Sequence, residues 1–169
     1  MSLRHAVLGL LAERPASGYD LMKRFESSLS NVWPATQSQV YGELGKLATA
    51  GLLTVAAEGP RGRKEYAITE EGRAELHHWL IETEPERFRR SEVLLRVFFL
   101  GSVSRFEAHT YLELEAARSD RFHEALKDLE GSVEWGDDQM SVYGRLALEY
   151  GLRQTAMQAE WARWAARQI

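Results

Sequence analysis

Two short runs read as strands, Leu52-Leu53-Thr54-Val55 and Tyr66-Ala67-Ile68, and between them lies the turn-forming stretch Gly59-Pro60-Arg61-Gly62-Arg63. This hairpin stands in a chain whose apolar spacing is otherwise helical, so the elements on either side of it decide the fold. Before it, residues 3–13 place Val7, Leu8, Leu10 and Leu11 close to helical spacing until Pro15 ends the segment. Ser17 with Asp20 resembles a capping box that opens a helix through Tyr19, Leu21, Met22 and Phe25. Trp33-Pro34 then imposes an extended break. A third helix starts at Thr36 with Gln39 in the capping-box position, carries Val40, Leu44 and Leu47 on one stripe, and closes at Gly51. After the hairpin, Thr69 caps a fourth helix through Leu76, Trp79 and Leu80 to Pro85, with Glu70 and Glu71 at the positive end of its dipole. Three helices, a hairpin and a helix make a winged helix-turn-helix over residues 1–84.

Residues 85–169 read as a helical domain behind a charged linker at 85–91. Ser91 caps an apolar segment, Val93–Leu100, whose density suggests burial. Ser104 and Glu107 form a capping box for a long helix through Leu126 and Leu129, residues 131–138 form a loop, and a last helix runs to the C-terminus. The fold class is thus mainly α with a small β-hairpin, a winged head followed by a helical dimerisation domain.

The chain has no cysteine, which excludes disulfides and thiolate metal sites and is compatible with a cytoplasmic location. The apolar start, Ala6 to Ala12, runs into Glu13 and Arg14 and reads as a core helix rather than a signal segment. Val93–Leu100 is far too short for a membrane span, so no membrane partner is expected. The net charge of −4 weighs only superficially against a nucleic-acid partner. Residues 1–90 carry 12 basic and 12 acidic side chains and residues 91–169 carry 9 and 13, so the excess negative charge lies entirely in the second half.

Two features of the head point to DNA. The third helix sets Thr36, Gln37, Ser38, Gln39 and Tyr41 against its apolar stripe. Gln can bond an adenine edge twice, Ser and Thr reach bases or phosphates, and a Tyr hydroxyl suits a phosphate. Capping competes for Gln39, which leaves Gln37 and Ser38 the better candidate readers; Lys46, later on the helix, joins the candidate contacts. At the hairpin tip, Arg61, Arg63 and Lys64 cluster around two glycines, as in a wing that lies along the phosphate backbone or enters the minor groove. Taken singly, an ordinary amphipathic helix or a solvated turn would account for each; together and in this order they are specific.

The same segments resemble the PadR-type repressors. The likeness rests on His5-Ala-Val-Leu-Gly-Leu-Leu-Ala-Glu13 with Pro15 and Ser17-Gly-Tyr-Asp-Leu21, on Val40-Tyr-Gly-Glu-Leu-Gly-Lys-Leu47 with Gly51-Leu52-Leu53, and on Arg63-Lys-Glu-Tyr66 with Ile68-Thr-Glu-Glu-Gly72. It covers residues 5–80 nearly continuously; Gly42 and Ala48 stand where the family commonly has a proline and an acidic residue. The resemblance implies a homodimeric repressor that binds an inverted-repeat operator in double-stranded DNA and releases it on binding a small effector. It also implies that the helix bearing Ser38, Gln39 and Tyr41 enters the major groove.

In the last helix, Tyr143, Tyr150, Met157 and Trp164 recur every seven residues, flanked by Ala147 and Trp161, a stripe that suits a dimer interface. Packing within one chain is the alternative use of that face. Trp33, Trp161 and Trp164 are candidate lining for a pocket that takes a small aromatic or hydrophobic effector. His109 and Glu113, one helical turn apart, lack a third clear ligand, so no metal site, no cofactor and no catalytic residue is assigned, and an enzyme is not expected. The reading is a sequence-specific transcriptional regulator; the alternative is a winged-helix protein–protein interaction module without an operator.

Overall fold

The centre of the first unit is a helix, α1 (Ser2–Glu13), whose Val7, Leu8, Leu10 and Leu11 are all buried. In the computed structural model, which describes residues 2–29, 32–58, 64–85 and 90–169, the chain divides into two compact units, Met1–Arg87 and Phe88–Ile169. Around α1 the first unit arranges β1 (Ala16–Ser17), α2 (Gly18–Ser28), α3 (Gln37–Thr49), β2 (Leu53–Glu58), β3 (Lys64–Ile68) and α4 (Glu70–Ile81). Leu21 and Phe25 of α2, Val40, Leu44 and Leu47 of α3, and Leu53 of β2 complete one core with α1. Fully burying each such side chain stabilises by about 1.5–3 kcal/mol over leaving it in water.

The sheet has three antiparallel strands in the order β1-β3-β2, where the sequence suggests a two-stranded hairpin. The additional strand pairs Ala16 with Tyr66 and Ser17 with Glu65. Two residues are too few to show an alternating pattern, and Ser17 serves twice. Its extended backbone (φ −73°, ψ 159°) ends β1, and its Oγ caps α2 by accepting from the Asp20 N–H at 3.3 Å and donating to Asp20 Oδ2 at 2.7 Å. Strands β2 and β3 pair from Leu53↔Ile68 to Glu58↔Lys64, with a bulge between Val55 and Ala57.

The joint from sheet to α4 explains the Thr-x-x-Gly sequence. The Thr69 hydroxyl donates to the Gly51 carbonyl at 2.8 Å and accepts from the Gly72 N–H at 3.1 Å, and the Thr69 N–H donates to the Leu52 carbonyl at 3.1 Å. That brings α4 so close to the Leu52 backbone that a Cβ on Gly72 would lie 2.2 Å from the Leu52 oxygen. Gly51 itself has φ 73°, the left-handed conformation that ends α3 and lets β2 begin.

The second unit contains α5 (Glu92–Phe98), a 3₁₀ turn (Leu100–Ser102), α6 (Arg105–Ser132) and α7 (Gln139–Ala166). Each helix starts on a side-chain cap, from Ser91, Ser104 and Asp138 respectively. Ser104 and Glu107 form the full capping box, and the hydrogen bonds from Ser104 hold the Glu107 carboxyl below its usual pKa. Helix α6 continues through Gly131 to Ser132, two residues into the expected loop. Helices α6 and α7 run antiparallel: Asp120 pairs with Arg163, and His123 Nδ1 lies 2.9 Å from Thr155 Oγ1 and 3.1 Å from the Leu152 carbonyl. Small and aliphatic side chains line the seam, with Ala108, Leu112, Ala116 and Leu126 on α6 and Leu148, Ala159, Ala162 and Ala166 on α7.

The apolar density of Val93–Leu100 suggests a buried segment, and the structure differs. The segment Val93–Leu100 is not buried: Leu94, Leu95, Phe98 and Phe99 are all exposed, Phe98 at 82 %. Apolar density cannot tell a helix covered by its own chain from one with an uncovered face. No helix among the described residues is long and apolar enough to cross a membrane.

Candidate nucleic-acid interface

Helix α3 is built to present its first turn. Thr36, two residues after Pro34, adopts the cap conformation (φ −85°, ψ 157°). The Thr36 N–H donates to Gln39 Oε1 at 2.8 Å and the Gln39 N–H to Thr36 Oγ1 at 3.4 Å, a reciprocal capping box. Thr36 Oγ1 also donates to Gln39 Oε1 at 3.1 Å and lies 3.1 Å from Ser38 Oγ. Gln39 is therefore occupied through its oxygen and offers its amide donors. Val40, Leu44 and Leu47 anchor the opposite face in the core, leaving Gln37, Ser38 and Tyr41 exposed around one shallow depression. A helix end anchored on one side and carrying short polar groups on the other is the geometry that a duplex groove requires.

The remaining head candidates are placed unequally. Lys46 is exposed but pairs with Glu43 at 2.6 Å, so a phosphate would have to compete for it. Lys64 is the exposed first residue of β3, in register with Glu58. Arg61 and Arg63 lie outside the described residues. Trp33 is 38 % exposed on the segment leading into α3 and belongs to the first unit, whereas Trp161 and Trp164 belong to the second.

On α7, the stripe residues Tyr143, Tyr150, Met157 and Trp164 are exposed, as is Ala147, while Trp161 is half-buried. The physical reason is an offset of two residues. The face packed on α6 includes Leu148, Thr155 and Ala162, and a step of two residues turns about 200° around a helix, to the far side. The seam thus uses the small-residue face of α7 and leaves the aromatic face uncovered by α6.

Two features of the head escape sequence reasoning. His5 is buried, stacks on Trp79 at 4.5 Å and places Nε2 3.2 Å from Glu75 Oε1, tying α1 to α4. Residues seventy positions apart leave no local pattern by which to find this pair. The other is the contact of Tyr41 with Gly18, where two family-like segments, each legible alone, meet in space. Among the described residues, no three His, Cys, Asp or Glu side chains converge as metal ligands would.

The helices, the sheet and the exposed first turn of α3 define a winged helix-turn-helix DNA-binding protein with a helical second unit. Residues 7–78 match the Transcriptional regulator PadR-like family, and residues 89–169 match a second family described as Virulence activator alpha C-term. Among curated proteins, the negative transcriptional regulator PadR of Bacillus subtilis is 36% identical over 136 residues, covering 78% of this chain and 73% of its own. The chain belongs to the PadR-like family of transcriptional regulators. Among solved structures, B. subtilis PadR in complex with operator DNA superposes with a TM-score of 0.82 at 29% identity, over 99% of both chains. The same regulator in complex with p-coumaric acid gives 0.84 at 29% identity, over 99% of this chain and 98% of that one. The Vibrio cholerae virulence activator AphA gives 0.83 at 26% identity, over 98% and 96%.

Proposed function

We propose that this protein is a homodimeric repressor that binds an inverted-repeat operator and leaves it when a small aromatic effector binds. The observation that carries the reading is α3, with its core-facing stripe buried and Gln37, Ser38 and Tyr41 exposed at its capped start. In this reading the head is residues 1–84; Gln37 and Ser38 touch base edges, Tyr41 and the wing cations Arg61, Arg63 and Lys64 touch phosphates, and residues 85–169 pair two copies through the α7 stripe. A palindromic site calls for two heads related by two-fold symmetry, which pairing two copies about a two-fold axis would provide. The sign of regulation follows the B. subtilis relative, named a negative regulator. An aromatic effector is supported by the relative solved with p-coumaric acid, with Trp161 and Trp164 of the second unit as candidate contacts here. DNA as the partner implies the cytoplasm as the place of action.

The test is selection of duplexes from a random library by the full-length protein. The proposal expects an enriched inverted repeat, its complex dissociated by a hydroxycinnamic acid such as p-coumaric acid. A library in which no sequence is enriched would overturn the operator. An enriched site indifferent to every small aromatic acid tried would remove the effector from the account.

A further inference from the structure

Gly18 opens α2 and is buried, and the Tyr41 ring of α3 lies over it. A Cβ on Gly18 would sit 2.7 Å from Tyr41 Cε1, 2.9 Å from Cζ and 3.2 Å from the hydroxyl oxygen, well inside the contact distance of about 3.5–4.0 Å between carbons. The backbone does not demand glycine at this position, because the positive-φ glycine among the described residues is Gly51. What demands it is the ring. Tyr41 remains 43 % exposed, so one part of the ring is seated and the rest faces outward.

We propose that Gly18 is a positioning residue for DNA binding: its lack of a side chain forms the seat that holds the Tyr41 ring and hydroxyl where the duplex meets them. The inference deepens the proposed function and rests on Tyr41 as a DNA contact. A seated aromatic ring loses little freedom on binding, whereas an unseated one must first be ordered. Alanine at position 18 would push the ring out along its own rotatable bonds, with no shift of backbone. Gly18 is the first residue of α2, directly after its cap Ser17, where alanine continues the helix without a penalty. The substitution should therefore separate binding from folding, which a merely structural glycine would not do.

The experiment compares full-length wild type, Gly18→Ala, Tyr41→Ala and the double variant on a duplex selected from a random library by the wild-type protein. Gly18→Ala should bind about tenfold more weakly, the scale of one lost contact, with a melting temperature unchanged or raised. Tyr41→Ala should lose at least as much, and the double variant no more than Tyr41→Ala. The ring-current shift of the Gly18 α-protons should vanish in Tyr41→Ala. Wild-type affinity in Gly18→Ala alongside a loss in Tyr41→Ala would overturn the seat and leave the DNA contact standing. A further loss from Gly18→Ala in the Tyr41→Ala background, or a melting temperature that falls with affinity, would also overturn it. Wild-type affinity in Tyr41→Ala would overturn both the contact and the seat.

Discussion

Gly72→Ala probes the joint that hangs the wing on the helical core. The added methyl would meet the Leu52 carbonyl oxygen at 2.2 Å and Ile68 Cγ1 at 2.8 Å, in a helix that buries Gly72. Carbon–oxygen contacts settle near about 3.3 Å, so α4 and the start of β2 must part by roughly 1 Å. The Leu52 carbonyl also accepts the Thr69 N–H at 3.1 Å, so the separation strains the hydrogen bond that ends β3. Overpacking of this kind costs about 1–3 kcal/mol and a weakened hydrogen bond about 1 kcal/mol more. Alanine returns at most about 1 kcal/mol of helix propensity. The net expectation is a loss of about 1–3 kcal/mol, read by urea titration of tryptophan fluorescence, with Trp79 reporting from α4. Gly9→Ala is the control. It lies in α1, nothing stands within 4 Å of its added Cβ, and propensity alone should raise stability by about 0.5–1 kcal/mol. If Gly72→Ala proves as stable as Gly9→Ala, the close approach of α4 to Leu52 is wrong, and the account of the Thr-x-x-Gly motif goes with it.

Replacing Arg61 and Arg63 with alanine should weaken selected and random duplexes by similar factors and flatten the slope of log K against log salt by about 0.9 per lost phosphate contact; an unchanged slope would take the wing off the backbone. Gln37→Ala and Ser38→Ala should instead change which sequences are selected, each lost base contact costing about 1–3 kcal/mol of discrimination; identical selected sites would remove both from readout. Tyr150→Glu with Met157→Glu places two carboxylates on a stripe whose residues are 70 % and 56 % exposed in the single chain. The helices should persist by circular dichroism while light scattering reports a monomer, because a dimer would have to bury those charges unpaired. A double variant that stays dimeric would move the interface to another surface, with exposed Phe98 and Phe106 the next to examine.

The head was legible because its signals are local. The capping pair Thr36 with Gln39 declares a helix start within four residues, as Ser104 with Glu107 does in the second unit, and both form as the spacing suggests. Apolar stripes such as Val40, Leu44 and Leu47 identify the buried face. What stayed hidden depends on distant partners. Strand β1 is two residues long and exists only because β3 lies beside it. The His5–Glu75 pair and the seat of Tyr41 on Gly18 join segments that no periodicity links. The heptad of Tyr143, Tyr150, Met157 and Trp164 reports an apolar face without naming its cover, and α6 packs on another face of that helix. Exposed Leu94 and Phe98 make the same point: composition says that a surface is apolar, and only packing says whether the same chain covers it.

If the start of α3 reads sequence, the decisive quantity is affinity for the selected inverted repeat over affinity for the same bases scrambled, at one fixed salt concentration. Specific regulators commonly exceed their own non-specific binding by about 10³-fold or more, and this protein should show a ratio in that range that collapses in the Gln37→Ala, Ser38→Ala double variant. Equal affinity for the two duplexes would contradict it, leaving a winged helix that holds DNA by charge alone or does not hold it at all.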